Sequence, residues 1–257
     1  MNKIENINLL GKNLEELEML CKTNNFPKFH GMQLFRWLYN KSNLNIEGMS
    51  NIPEKLKAII QNNYRLNSLK IEKKFSSNED DTIKYLFQTI DSKLIESVSM
   101  IEDSRHTLCI SSQIGCSVDC SFCATGKMGI IRNLDAGEII EQIITISKDR
   151  KTLITNIVFM GMGEPFLNYN NVIKACKILS NSSGFNLSTK RITISTSGIL
   201  PKIERYITEQ HKYKLAISLN ASNNKTRNQL IPINKKWPIE DILNTIKKYQ
   251  FNKYRPI

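Results

Sequence analysis

A parallel α/β fold is predicted by three observations. From Thr107 onward short apolar, β-branched runs alternate with amphipathic stretches; a helical segment and then a period-two segment precede them; and each run ends in a loop rich in glycine, serine or cysteine. Taken in chain order, residues 1–72 read as an accessory domain of short helices. Leu14 to Cys21 places Leu14, Leu17 and Leu20 on one face, and Gly31 to Tyr39 does the same with Leu34, Phe35, Leu38 and Tyr39. Pro53 to Tyr64 opens on a first-turn proline and continues through Leu56, Ile59 and Ile60. No acid, base or metal-ligating cluster occurs among these residues.

Between residues 73 and 104 the period changes to two. Ile83, Tyr85 and Phe87 alternate with polar residues, Asp91 and Ser92 mark a turn, and Leu94, Glu96, Val98 and Met100 share a face on the return strand. This predicts a β connector in which Glu96 sits among apolar neighbours, and by pattern alone Glu96 reads as a solvated hairpin charge.

The third part, residues 105–257, carries strands at Thr107 to Ser111, Asn156 to Met160, Arg191 to Thr196 and Lys214 to Leu219. Helices are predicted at about 136–148, 170–180, 199–208 and 239–250. A distinctive segment follows each strand: the cysteine loop, then Gly161-Met162-Gly163-Glu164-Pro165, then Ser195 to Gly198, then Ser218-Leu219-Asn220. Parallel α/β folds place their sites on this C-terminal rim.

Bulk properties narrow the function class. A formal net charge of +12 attracts a polyanion, although richness in Asn and Ile points to a codon bias that also inflates Lys. No stretch approaches the roughly 20 apolar residues that cross a bilayer, and the N-terminus lacks the apolar run of a signal peptide. A cytoplasmic protein with no membrane partner is expected. Its six cysteines then read as metal ligands, redox groups or core residues. Cys116, Cys120 and Cys123 stand within eight residues. A [4Fe-4S] cluster held by three thiolates keeps one iron open to a small molecule. Zinc takes the same spacing, with His106 or another cysteine as a fourth ligand, so spacing leaves both open.

The stretch from Thr107 through Gly126, with Arg132-Asn133-Leu134, Gly161 to Pro165, Ser195 to Gly198 and Leu230 to Lys235, resembles the radical S-adenosylmethionine (SAM) RNA methyltransferases of the RlmN and Cfr group. The resemblance implies a partial (β/α) barrel preceded by a helical RNA-recognition domain. It also implies a [4Fe-4S] cluster on Cys116, Cys120 and Cys123, whose open iron chelates SAM. Gly163 and Glu164 would contact the methionyl end of that cofactor, and Ser195, Ser218, Leu219 and Asn220 the remainder; many relatives carry histidine in place of Asn220. The activity implied is methylation of adenosine carbon 2 in 23S rRNA and in tRNAs, by a monomer served by an electron donor.

In the family, one SAM methylates a cysteine near the C-terminus and a second is cleaved to a radical that activates this methyl group for addition to the base. Glu96 aligns with the carboxylate that deprotonates the adduct, and Cys109 with the thiol that resolves it through a disulfide. The methyl-carrying cysteine has no counterpart here, since Cys21 and Cys176 read as core. The expectation is therefore a barrel truncated at its C-terminus, inactive or nearly so alone and rescued by a complementing fragment. Rival readings are methylation at carbon 8 and a non-enzymatic RNA-binding protein that holds zinc.

Overall fold

The computed structural model describes residues 7–249, and its first elements form where caps and apolar periodicity place them. Strand β1 (Ile7–Asn8) precedes α1 (Leu14–Thr23), whose start is fixed by a reciprocal cap. The Glu16 amide donates to Asn13 Oδ1 at 2.9 Å and the Asn13 amide to Glu16 Oε2 at 2.7 Å. Helix α2 (Phe29–Phe35) continues into a widened turn over Arg36–Asn40, which together cover the predicted Gly31 to Tyr39 stretch. Helix α3 (Glu54–Asn63) begins directly after Pro53, and β2 (Tyr64–Arg65) pairs in parallel with β1.

Next come β3 (Leu69–Ser76), β4 (Asp81–Thr89), β5 (Leu94–Glu102) and β6 (Arg105–Cys109). Two short strands not foreseen from sequence, β7 (Gln113–Gly115) and β8 (Ile130–Asn133), flank the cysteine loop and α4 (Ala124–Lys127). Helix α5 (Ala136–Arg150), β9 (Asn156–Phe159), α6 (Tyr169–Ser180), β10 (Ile192–Thr196), α7 (Leu200–Thr208) and β11 (Lys214–Ile217) follow the predicted alternation. A short α8 (Asn224–Leu230), also unforeseen, precedes α9 (Ile239–Tyr249). The last predicted residue of that final helix lies outside the described residues.

The strands form one seven-stranded sheet in the order β11-β10-β9-β6-β5-β4-β3. Strands β6, β9, β10 and β11 are parallel, as the helical connections require, and β3 to β6 are antiparallel. The predicted connector thus continues the same sheet: Val98 of β5 stands opposite Cys109 of β6.

Period-two burial gives this sheet two unlike faces. Tyr85, Phe87, Ile95, Leu108, Ile157, Phe159, Ile192 and Ile194 are buried on the helix-covered face, in one core with Leu17, Leu34, Leu38 and Leu56 of the N-terminal helices. The opposite, concave face is half-buried. One row across it runs Phe75, Lys84, Val98, Cys109, Val158, Thr193 and Lys214, with Glu96, Ser195 and Ala216 one step toward the C-terminal rim.

Helix α5 ties the two kinds of structure together. Its buried Glu141 carboxylate accepts the amides of Ser68, at 2.8 and 2.9 Å to the two oxygens, and of Leu69 at 3.1 Å. Burial pushes the Glu141 carboxyl up to about 7.

Candidate active site

The cysteine loop is built against α8 and the β7–β8 hairpin. The Cys116 amide donates to the Gly129 carbonyl at 2.9 Å, the Cys123 amide to the Cys120 carbonyl at 3.0 Å, and the Ser121 amide to the Leu230 carbonyl at 2.9 Å. Val118, Cys116 and Ile231 form a small apolar cluster of their own beneath it. Cys116 is buried, while Cys120 and Cys123 are half-buried. Burial pushes the Cys116 thiol up and the Cys120 thiol up to about 11, so a metal that takes them as thiolates releases protons.

All three cysteines line one cavity of about 420 Å³ at the C-terminal rim, together with Gly163, Glu164, Ser195, Ser218 and Asn220. Sequence had proposed these residues together, and the topology brings them together. Ser195 Oγ and Ser218 Oγ, on neighbouring strands, are 3.0 Å apart. Asn220 is exposed and left-handed at φ +57°, a conformation that asparagine tolerates better than most residues.

Glu164 is buried, and burial raises its carboxyl pKa. Its carboxylate accepts the Phe166 amide at 2.9 Å, the Ser197 amide at 2.7 Å and the Ser197 hydroxyl at 2.8 Å. It therefore clamps the loop after β9 to the loop after β10. The Thr196 side chain is a further hydrogen-bond partner, so this carboxylate is satisfied by the chain itself.

The glycines of this loop are required by packing. A Cβ on Gly161 would lie 2.8 Å from the Ile110 carbonyl, and one on Gly163, at φ +99°, would lie 2.5 Å from Gln113 Cβ. Close packing on the chain that leaves β6 thus requires both, whatever the cavity holds. Leu219 does not line the cavity. Its amide donates to the Ile217 carbonyl, and its carbonyl accepts the Ala221 amide at 2.8 Å and Arg227 Nε at 2.9 Å.

That arginine is the residue the sequence reading missed. Arg227 is fully buried, with burial lowering its pKa. It donates to the Ser197 carbonyl at 2.5 Å, the Ser218 carbonyl at 3.2 Å and Asn234 Oδ1 at 2.6 Å, besides Leu219. One cation thus pins the loops after β10 and β11 from beneath. The sequence carries no local signal for it, because α8 is polar throughout apart from Leu230.

Glu96 and Cys109 lie on the concave face as diagonal neighbours on adjacent strands, about 7–8 Å apart by sheet geometry. Glu96 stands opposite Leu86 and shares its face with Val98, as expected, but it is not shielded from water. Its side chain is 44% exposed and its Oε1 lies 3.0 Å from Lys84 Nζ, because the apolar residues of β5 that are fully buried point to the other face. Burial pushes the Cys109 thiol up to about 11. All six cysteines are free thiols, so the disulfide implied for Cys109 is not formed.

His106 is out of reach as a fourth zinc ligand. His106 is buried at the start of β6, the end remote from the cysteine loop, and its Nε2 lies 2.9 Å from Ser99 Oγ on the helix-covered face. Among the described residues no three His, Cys, Asp or Glu side chains are close enough to hold a single metal ion. Nor is any described helix long and apolar enough to cross a membrane.

Comparison with known proteins agrees with this geometry. Residues 110–255 match the radical SAM superfamily, and residues 7–66 match the ribosomal RNA large subunit methyltransferase N-terminal domain. The chain is 43% identical over 244 residues to a probable dual-specificity RNA methyltransferase RlmN of Pseudothermotoga lettingae, covering 95% of this chain and 71% of the relative. It is 45% identical over 251 residues to the dual-specificity RNA methyltransferase RlmN of Buchnera aphidicola subsp. Schizaphis graminum, covering 95% of this chain and 68% of that one. Among solved structures, a radical SAM methyltransferase from Sphaerobacter thermophilus superposes with a TM-score of 0.89 at 38% identity, over 95% of this chain and 72% of the other.

Proposed function

We propose that this chain, which belongs to the RlmN family of radical SAM RNA methyltransferases, methylates carbon 2 of an adenosine in 23S rRNA and in tRNAs. It does so in the cytoplasm, as a monomer served by a separate electron donor. The observation that carries the reading is the convergence of Cys116, Cys120 and Cys123 on one cavity with Gly163, Glu164, Ser195 and Ser218.

These residues fit a [4Fe-4S] cluster with SAM beside it. The donor set is all thiol, numbers three, and lines one cavity. When bound, the two cofactors supply the radical that an electron-poor ring carbon requires. The remaining work belongs to the chain. Gly163 and Glu164 would lie at the methionyl end, where the Glu164 carboxylate would suit an ammonium group. The hydroxyls of Ser195 and Ser218 and the backbone at Asn220 take the rest of SAM, with Leu219 left only its side chain. Glu96, oriented by Lys84, accepts the proton from the methylated base. Cys109 acts as the resolving thiol and must lose its proton to do so, since burial keeps it neutral near pH 7.

None of the six cysteines remains to carry the methyl group. Three hold the cluster, Cys109 resolves, and Cys21 and Cys176 are buried in the core. The carrier thiol is therefore supplied from outside these 257 residues. The test is mass spectrometry of nucleosides from an adenosine-containing 23S rRNA fragment. The RNA is incubated with the reconstituted chain, SAM, a reductant and the cysteine-bearing C-terminal segment of a longer relative. Formation of 2-methyladenosine is expected, and 8-methyladenosine would overturn the choice of carbon.

A further inference from the structure

Away from the cavity, the concave face carries an aromatic ring that the radical site does not use. Phe75 of the edge strand β3 is 42% exposed, and two ammonium groups flank its ring. Lys73 Nζ lies 4.8 Å and Lys84 Nζ 5.1 Å from the ring centroid. Register fixes where this trio stands: Phe75 is opposite Lys84, Lys84 opposite Val98, and Val98 opposite Cys109. The ring is thus three strand spacings, about 14 Å, from Cys109 along one row of the same face. Lys84 also contacts Glu96, so the trio adjoins the carboxylate assigned to proton transfer.

An open aromatic ring between cations on a sheet face has the chemistry of a single-stranded nucleic-acid platform. Every base offers a π-face to stack, and each phosphate pairs with one ammonium. The lysines do not block the ring, because an exposed cation–π contact is weak beside a phosphate pair and yields to it.

The geometry points to Lys73, Phe75 and Lys84 as the part of the RNA site that seats a nucleotide flanking the target adenosine. The ring stacks one unpaired base, and the two ammonium groups take phosphates. This rests on the RNA methyltransferase reading and adds the form of the substrate: the flanking nucleotide is presented unstacked, from a loop or single strand. The distance to Cys109 makes Phe75 a seat for a neighbour of the target base and not for the target itself.

Fluorescence anisotropy with a labelled adenosine-rich single-stranded RNA 12-mer, and with the same RNA annealed to its complement, tests the platform. Phe75→Ala is expected to weaken single-strand binding about tenfold while leaving duplex binding unchanged, and Phe75→Trp to retain it. Lys73→Ala and Lys84→Ala should each reduce the salt dependence by about 0.7 in log–log slope, as loss of one phosphate contact does on a single strand. Lys151→Ala, at an exposed position after α5, serves as the unaffected control. If the unaltered chain binds the single strand but Phe75→Ala binds it equally well, or loses the duplex to the same degree, the platform is overturned and the RNA methyltransferase reading stands. If the unaltered chain binds neither RNA, that reading fails as well.

Discussion

In the parallel half of the sheet the charges near the site are buried and bonded on every side: Glu164 by the Phe166 and Ser197 amides and the Ser197 and Thr196 side chains, Arg227 by four acceptors from three segments. In the antiparallel half, Glu96 and Lys84 meet in a single ion pair with nearly half of each side chain in water. The contrast separates two tasks. The rim around the cysteines must hold a small polar ligand in one geometry, so its loops are locked by interior hydrogen bonds, each costly to leave unmade. The β3–β5 face must admit a large anionic partner and release it, so its charges stay hydrated and exchangeable.

Substitutions can break or sharpen that division. The largest effect is expected from Cys120→Ala, which removes one of three thiolates and should drop bound iron after anaerobic reconstitution from about four per chain to near zero, read by iron and sulfide assay. Arg227→Met leaves the Ser197, Ser218 and Leu219 carbonyls without their donor, and chemical denaturation should register a loss of about 3–5 kcal/mol. Arg227→Lys should lose less, since one cation remains. An equally large loss for Lys84→Met would erase the distinction between the halves.

Glu141, where α5 meets the start of β3, gives the next effect, and it depends on pH. Its folded carboxyl stands at about 7 against an ordinary 4.5. The protonated form is therefore the one favoured by folding, and its contribution is full below pH 4.5 and lost as pH rises through 7. The loss amounts to up to about 3 kcal/mol. Denaturation midpoints measured between pH 5 and 8 should fall in the unaltered chain and fall less in Glu141→Gln. Glu164→Gln should cost about 2 kcal/mol by turning an amide donor toward the Ser197 or Phe166 donors. The smallest effect is at the surface, where Lys84→Met should change stability by less than about 0.5 kcal/mol.

Much of this arrangement was legible in the sequence, for reasons that also mark where legibility stopped. The four parallel strands announce themselves because their residues are apolar on a buried face, and the rim loops because parallel strands align their C-terminal ends. The cysteines were legible as metal ligands through spacing, and the resemblance, not the spacing, pointed to a cluster over zinc. Arg227 was not: an arginine within the polar helix Asn224–Leu230 has the local pattern of a solvated charge, and only the tertiary positions of Ser197, Ser218 and Asn234 make it interior. Glu96 failed in the opposite sense. Alternation correctly gave it a shared face with Leu94, Val98 and Met100, but period two cannot say which face the helices cover. The packing need for Gly161 and Gly163 was not legible, because a sequence does not display the Ile110 and Gln113 atoms against which they lie.

The central claim is that Cys116, Cys120 and Cys123 hold a cluster with an open iron that grips and cleaves SAM. The most direct measurement is anaerobic reconstitution of the whole chain with iron and sulfide, followed by addition of SAM and dithionite and quantitation of 5′-deoxyadenosine. A brown protein with about four irons that forms 5′-deoxyadenosine is predicted, with formation abolished in Cys120→Ala. A chain that binds one zinc tightly, takes up no iron and leaves SAM intact would contradict it.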